Sequence, residues 1–319
     1  MTIDFVKTQS VGNDFVLVHE TDLSKLLAEA NSSPTGKGGV AVATKPLISQ
    51  DQLLERLAIL ACNRKFGVGS DGLLVLGKKD ADITLRMFNP DGTEDFCGNG
   101  LRCAAICASH EGLATTSSFV ITHGGERVRS ELLGGAKVRT TLGRADYSPA
   151  KVPVVAPGEV FKETVWSGMI DGMPLSFFGS ALTTGSTHVV IPTVSFPDDD
   201  SFISISSAIE KDPRYPKHTS VIWTKEIEPM HLKLRIWERG AGETLGCGTG
   251  SSAAAADYLR RRERGGTVVV DNPGGTILVS MDSWDSAIVT EGDATVVYTG
   301  TYTFPSATLG VGRPANEVN

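Results

Sequence analysis

A short motif occurs twice in this chain, and that repetition restricts its architecture more than any other feature. Cys97-Gly98-Asn99-Gly100 continues to Ala104-Ala105, and Cys247-Gly248-Thr249-Gly250 continues to Ala254-Ala255. A second pair of anchors precedes them: Gly12-Asn13 ahead of Val16-Leu17-Val18, and Gly185-Ser186 ahead of Val189-Val190-Ile191. The anchor-to-cysteine spacing is 85 residues in the first half (12 to 97) and 62 in the second (185 to 247). The excess matches a small, polar stretch around Asn31-Ser32-Ser33-Pro34, read as a surface insertion over about 28–49. Such self-similarity suggests a duplicated α/β unit, each copy carrying one cysteine at the start of a helix. At 319 residues the chain is long enough for two domains of ordinary size.

The local pattern agrees. In the first half, strands at Phe15–Val18, Leu73–Leu76, Ile83–Phe88, Phe119–Ile121 and Lys137–Arg139 alternate with helices at Gln52–Ala61 and Gly98–His110. The first helix is read from Leu53, Leu54, Leu57, Leu60 and Ala61, which share one helical face. The second half has strands at Val189–Ile191, Ser220–Trp223 and Leu232–Trp237, then a small-residue helix from Gly248 to about Arg261. Asn272-Pro273-Gly274-Gly275 is a turn before the strand Thr276–Val279. Asp198-Asp199-Asp200 reads as a solvated loop before a helix, and Arg260-Arg261-Arg262 as a last turn that complements a helix dipole. Gly67-Val68-Gly69-Ser70-Asp71-Gly72 matches a dinucleotide fingerprint by letter, but that fingerprint needs strand, loop, helix, and here a helix precedes and a strand follows. It reads as a glycine-rich loop.

The chemistry follows from the position of the two cysteines. A helix N-terminus leaves backbone N–H groups without intrahelical acceptors and carries the positive end of the macrodipole. A cysteine there is expected to have a lowered thiol pKa. The Gly-x-Gly that follows lets a carboxylate or phosphate approach the amides closely. Two such helices facing each other across a cleft would set one thiol on each side of a small ligand. Acid/base groups on opposite faces of one carbon invert a stereocentre: one thiolate takes the Cα proton while the other thiol delivers one from behind.

Cys62, Cys103 and Cys107 sit among alanine, leucine and isoleucine and read as core. Cys103 and Cys107 are four apart but lack the partner spacing of a zinc site, so no metal is expected, and nothing calls for a cofactor. The balance of 30 basic to 37 acidic side chains argues against a nucleic-acid groove. The N-terminal residues Met1 to Phe5 have no basic or apolar leader character, and no apolar run approaches the ~20 residues a bilayer span needs. With five cysteines, an odd number, the expectation is a cytoplasmic protein with reduced thiols and no membrane partner.

At this point the motifs resemble the diaminopimelate epimerase family, the pyridoxal-phosphate-independent racemases. The matching segments are Gly12-Asn13-Asp14-Phe15, Phe66 to Gly72, Phe88-Asn89-Pro90-Asp91-Gly92-Thr93, Cys97 to Cys103, and Glu238-Arg239-Gly240-Ala241-Gly242-Glu243-Thr244 running into Cys247-Gly248-Thr249-Gly250, with Pro273-Gly274-Gly275 a weaker match. The resemblance implies an α/β (α+β) fold of two pseudo-symmetric domains, each a β-barrel-like sheet wrapped around a central helix, with the active site in the interdomain cleft. The domains expected are 1–144 with 296–319, and 145–295. The resemblance implies Cys97 and Cys247 as catalytic bases. It places the reacting carboxylate on the helix starts Gly98-Asn99 and Gly248-Thr249, and the adjacent ammonium on Asn13, with Gly72 nearby. It implies Asn89, Glu238 and Arg239 at the distal amino-acid end, and His188 and Glu238 as groups that tune the thiols. A homodimer is a compatible assembly, and the partner expected is a small amino-acid substrate.

Two segments depart from the family pattern. Gly185-Ser186-Thr187-His188 stands where the family commonly has Gly-Asn-Pro-His, and Ser220 stands where a second asparagine is expected. Both asparagines contact the distal carboxylate in the family, and a serine offers one hydroxyl in place of an amide. The reacting end of the site is intact while its distal end is altered. Three readings stay open: a diaminopimelate epimerase, a related racemase of another amino acid (histidine- or proline-type), and a non-catalytic amino-acid binding or thiol redox protein.

Overall fold

The computed structural model describes residues 1–31, 48–170 and 172–304. In the first half follow β1 (Thr2–Ser10), β2 (Asn13–His19), α1 (Glu20–Asn31), α2 (Gln50–Cys62), β3 (Gly72–Lys79), β4 (Asp82–Phe88), α3 (Gly98–His110), β5 (Ser118–His123), β6 (Glu126–Gly134) and β7 (Lys137–Thr141). The second half has β8 (Phe161–Ile170), β9 (Met173–Thr183), β10 (Thr187–Pro192), α4 (Asp199–Glu210), β11 (Ser220–Glu228), β12 (His231–Glu238), β13 (Gly242–Thr244), α5 (Gly248–Arg260), β14 (Gly266–Asn272) and β15 (Gly275–Met281). β16 (Val289–Asp293) and β17 (Thr295–Thr303) complete it.

The two halves repeat one pairing scheme. β2 and β3 run parallel with Phe15 opposite Gly72, and β10 and β11 run parallel with His188 opposite Ser220. β3–β4 and β11–β12 are antiparallel; β4–β5 and β12–β14 are parallel again. Parallel neighbours need long crossovers, and the helices provide them: α2 and α4 before β3 and β11, α3 and α5 before β5 and β14. Antiparallel meanders β5–β6–β7 and β14–β15–β16 close each unit. β7 pairs with β16, and β17 returns to lie antiparallel to β1.

Composition decides which helices go to the centre. α2 opens with a capping box, Ser49 Oγ accepting from Gln52 N at 3.2 Å while Gln52 Oε1 accepts from Ser49 N at 3.0 Å. It buries one stripe, Leu53, Leu54, Leu57, Ala58 and Ala61, as its periodicity predicts. α3 and α5 are buried nearly all round, as Ala104, Ala105 and Cys107, or Ala253 to Ala256, allow. Small side chains let strands approach from every side, so α3 is enclosed by β1 to β7 and β17, and α5 by β9 to β12, β14 and β15. This mixed, sheet-rich architecture is the fold class that the resemblance implies. Cys103 and Cys107 lie in the core, and Cys62, the last residue of α2, does likewise.

Two features differ from the sequence reading. α1 is a helix over Glu20–Asn31, including residues 28–31 of the expected insertion; 32–47 of that insertion lie outside the described residues. α1 has only Leu23 and Leu26 buried, too few to register as a face. The long hairpin β8–β9 escapes detection because bulges between Phe161 and Glu163 and between Thr164 and Trp166 break its alternation. Among the described residues no helix is long and apolar enough to cross a membrane.

Candidate active site

Cys97 and Cys247 are the N-cap residues of α3 and α5, with matching backbone angles: φ −134°, ψ 112° and φ −134°, ψ 114°. Each sulfur accepts from the third helical amide, Gly100 N at 3.3 Å and Gly250 N at 3.2 Å. The caps use those amides and leave the N–H groups of Gly98, Asn99, Gly248 and Thr249 without intrahelical acceptors. The two helix starts abut. A Cβ built on Gly248 would lie 2.9 Å from Asn99 Oδ1 and 3.1 Å from Asn99 N; one on Gly98 would lie 3.4 Å from Thr249 N. At position 248 only glycine permits this approach without displacement, and the two sets of free amides lie side by side.

The cap cysteines are held from behind by a pair of residues that the motifs do not single out. Cys97 N donates to His123 Nε2 at 2.9 Å, and Cys247 N points to Asn272 Oδ1 at 3.4 Å. His123 ends β5 and Asn272 ends β14, equivalent places in the repeat. Since Nε2 accepts, the His123 proton is on Nδ1, facing Leu85 O at 3.0 Å. Phe96 stacks on His123 with ring centroids 4.7 Å apart. The signal available in the sequence was positional: each precedes a glycine-rich turn, Gly124-Gly125 or Pro273-Gly274-Gly275.

On the first-half side, Asn13 Oδ1 lies 4.0 Å from Cys97 Sγ and accepts from Asn99 Nδ2 at 3.3 Å. Asn13 Nδ2 donates to Asp71 Oδ2 at 2.8 Å, so the amide is oriented with its oxygen toward the thiol. Asn99 Nδ2 also donates to Gly246 O at 3.0 Å, crossing to the other half. Gly72 opens β3 beside this cluster, where a Cβ would meet Met87 Cε at 2.8 Å. On the second-half side, Thr249 Oγ1 is 3.4 Å from Cys247 Sγ and 3.3 Å from His188 Nε2, linking the buried histidine to the thiol through one hydroxyl. Glu238 faces Cys247 and accepts from Thr244 Oγ1 at 2.6 Å.

The residues expected at the distal end are arranged less simply. Ser220 Oγ is engaged by its own half, accepting from Arg239 N at 3.1 Å. Ser186 is half-buried at the start of β10, beside Gly185, whose Cβ position is filled by the Phe96 ring. Asn89 sits in the turn after β4, where its Nδ2 donates to Thr93 Oγ1 at 3.0 Å. Arg239 and Glu238 do not pair with each other. Arg239 forms an ion pair with Asp95, two residues before Cys97, and so spans from the second half to the first. That contact is 144 residues long in sequence, beyond any local pattern.

Electrostatics corrects one expectation. Capping and dipole were expected to lower both thiols, but burial outweighs them: Cys97 is pushed up to about 12, and Cys247 is raised well above its ordinary value. The amides of Gly100 and Gly250 pull the other way, and the Glu238 charge adds to the rise at both sulfurs. Burial also raises Glu238 and lowers His188 to about 3, so the imidazole is neutral. Both sulfurs rest as thiols. A bound cation or ion-paired ligand is what would ionise one of them.

The family model for diaminopimelate epimerase matches residues 5–147 and 180–297. The chain is 31% identical over 304 residues to a diaminopimelate epimerase of Desulforudis audaxviator, covering 93% of this chain and 98% of that one. It is 32% identical over 310 residues to a chloroplastic diaminopimelate epimerase of Oryza sativa subsp. japonica, covering 93% and 79%. Among solved structures, a hydroxyproline epimerase from Agrobacterium vitis shares the fold, with a TM-score of 0.67 at 12% identity over 97% of this chain and 95% of that one. On the strength of the family match and these relatives, the chain belongs to the diaminopimelate epimerase family of isomerases.

Proposed function

We propose that the protein interconverts L,L- and meso-2,6-diaminopimelate by a cofactor-independent, two-cysteine mechanism, supplying lysine and peptidoglycan precursors. The observation that carries this reading is the pair of cysteines capping two helices whose starts abut. The reacting carboxylate would bind the amides of Gly98, Asn99, Gly248 and Thr249, and the Cα ammonium would face Asn13 Oδ1, backed by Asp71. That ammonium, next to Cys97, favours its thiolate. The thiolate takes the Cα proton; the electron pair is delocalised into the carboxylate, where helix amides stabilise it. The opposite thiol protonates the other face, so thiol and thiolate exchange places in each turnover. His188, through Thr249, and Glu238 would set the protonation of Cys247. The halves 1–144 with 296–319 and 145–295, of which 32–47, 171 and 305–319 lie outside the described residues, would act as the two bodies that bring these helix starts together.

Turnover of diaminopimelate in deuterated water tests the mechanism: product should carry deuterium at Cα, and Cys97→Ala and Cys247→Ala should each abolish epimerisation. Unlabelled product, or full activity of either variant, would refute it. A second reading, a racemase of another amino acid, is favoured by Ser186, Ser220 and the engagement of Arg239 by Asp95. Faster Cα exchange on a single-carboxylate amino acid than on diaminopimelate would select it. A protein that binds amino acids without exchanging Cα protons would instead be a binding or redox protein.

A further inference from the structure

Arg102 lies on α3 one turn beyond the cap and is fully buried. A guanidinium keeps its charge in proteins, and burying one is costly unless an anion accompanies it. Among the described residues no carboxylate forms an ion pair with it. Its donors go to neutral acceptors: Nε to Ser10 Oγ at 3.0 Å, Nη1 to Thr290 Oγ1 at 3.5 Å, and Nη2 to Asn99 Oδ1. Asp293 acts on it only at longer range, from an exposed position. The fold keeps a slot for this group: a Cβ at Gly292 would come 3.1 Å from Nε and 3.4 Å from Cζ. The repeat is broken at this place, because the other copy has Ser252, whose hydroxyl returns to Gly248 O at 2.9 Å. One guanidinium therefore stands behind the α3 start through Asn99, with both Cys97 and Cys247 within range of its charge.

We infer that Arg102 is a positioning residue that supplies the standing positive charge of the site: it orients Asn99, and the arriving carboxylate and whichever thiol is ionised become its counter-anions. The hydrogen bond to Asn99 Oδ1 turns the Asn99 amide so that Nδ2 serves Asn13 Oδ1 and Gly246 O. The backbone N–H of Asn99 is thereby left for the ligand.

The test compares full-length Arg102→Met and Arg102→Lys with the unmodified protein, each checked for folding by circular dichroism. Alkylation by iodoacetamide at pH 9, followed at each cysteine by mass spectrometry, needs no substrate. Loss of the charge should slow alkylation of Cys97 and Cys247 about tenfold, one pKa unit in thiolate fraction, with Cys62 as an internal control. Lysine should keep the rates within about twofold. Resting on the proposed reaction, kcat for Cα exchange of diaminopimelate should fall about 10²-fold in Arg102→Met and recover to within about tenfold in Arg102→Lys. Unchanged alkylation in folded Arg102→Met, or Arg102→Lys as slow as Arg102→Met, overturns the inference. If Arg102→Met does not fold, Arg102→Lys decides alone: near-native alkylation supports the charge, a tenfold drop overturns it. An unmodified protein that exchanges no Cα proton of diaminopimelate would refute the substrate reading and leave the alkylation arm standing.

Discussion

A single methyl group at Gly248 should separate the two helix starts. The Cβ of Gly248→Ala would stand 2.9 Å from Asn99 Oδ1, 3.1 Å from Asn99 N and 3.2 Å from Gly98 C. The Asn99 side chain cannot swing clear, because Arg102, Asn13 and Gly246 hold both ends of its amide. The backbone at Gly98–Asn99 must therefore recoil by a few tenths of an ångström. Overpacking of this kind costs about 1–3 kcal/mol, offset by up to about 1 kcal/mol from replacing glycine by alanine in a helix. The net loss of stability should be about 1–2 kcal/mol in urea denaturation, while kcat/KM for Cα exchange falls about 10²-fold as the amides move out of register. Gly98→Ala is the control, since its Cβ would meet Gly248 C and Thr249 N at 3.4 Å, an ordinary contact. It should leave stability within about 0.5 kcal/mol and cost less than about tenfold in rate. Native activity in Gly248→Ala, or greater damage from Gly98→Ala, would refute the abutting-helix geometry.

His188 rests neutral with a pKa near 3, whereas an unfolded histidine titrates near 6.5, so the unfolded chain takes up the proton first. Its contribution to stability is full above pH 6.5 and falls as the pH drops toward 3; about 2 kcal/mol should be gone by pH 5. A pH series of urea melts on His188→Asn should lose that part of the slope, and an identical slope in both proteins would contradict the burial argument. Asp95→Asn should free Arg239 and lower KM for diaminopimelate by up to about fivefold, the worth of a half-exposed ion pair of about 1 kcal/mol; a rise in KM would show that Asp95 helps to bind the substrate instead. His123→Ala should cost about 1–3 kcal/mol in thermal or urea unfolding, because it leaves the Cys97 amide without its acceptor, and a neutral result would argue that water replaces the imidazole.

Much of the scaffold was legible because its signals are local. Gly98–His110 has the same bounds in the sequence reading and in the structure, because a small-residue run between a glycine-rich start and a polar end is self-contained. The Asn272 to Gly275 turn was legible for the same reason, as a hairpin between β14 and β15. α1 was not, since a helix held by two buried leucines and its crossover role has little periodicity to show. His123 and Asn272 were equally silent, because their task is to receive an amide that is 26 and 25 residues away.

Residue order alone specifies a duplicated unit, a cysteine at the start of each central helix, and glycines where a close approach is needed. These are statements about residues within one turn of each other, and short-range sterics and capping suffice to make them. It takes the folded packing to make Gly98 and Gly248 meet, Arg239 reach Asp95, Arg102 stand behind Asn99 without an acid, and the thiols rise rather than fall. Each depends on how much solvent is excluded and on which distant groups share the excluded volume. Desolvation is a property of the packed whole, and it opposes and exceeds the local dipole that the motif alone advertises.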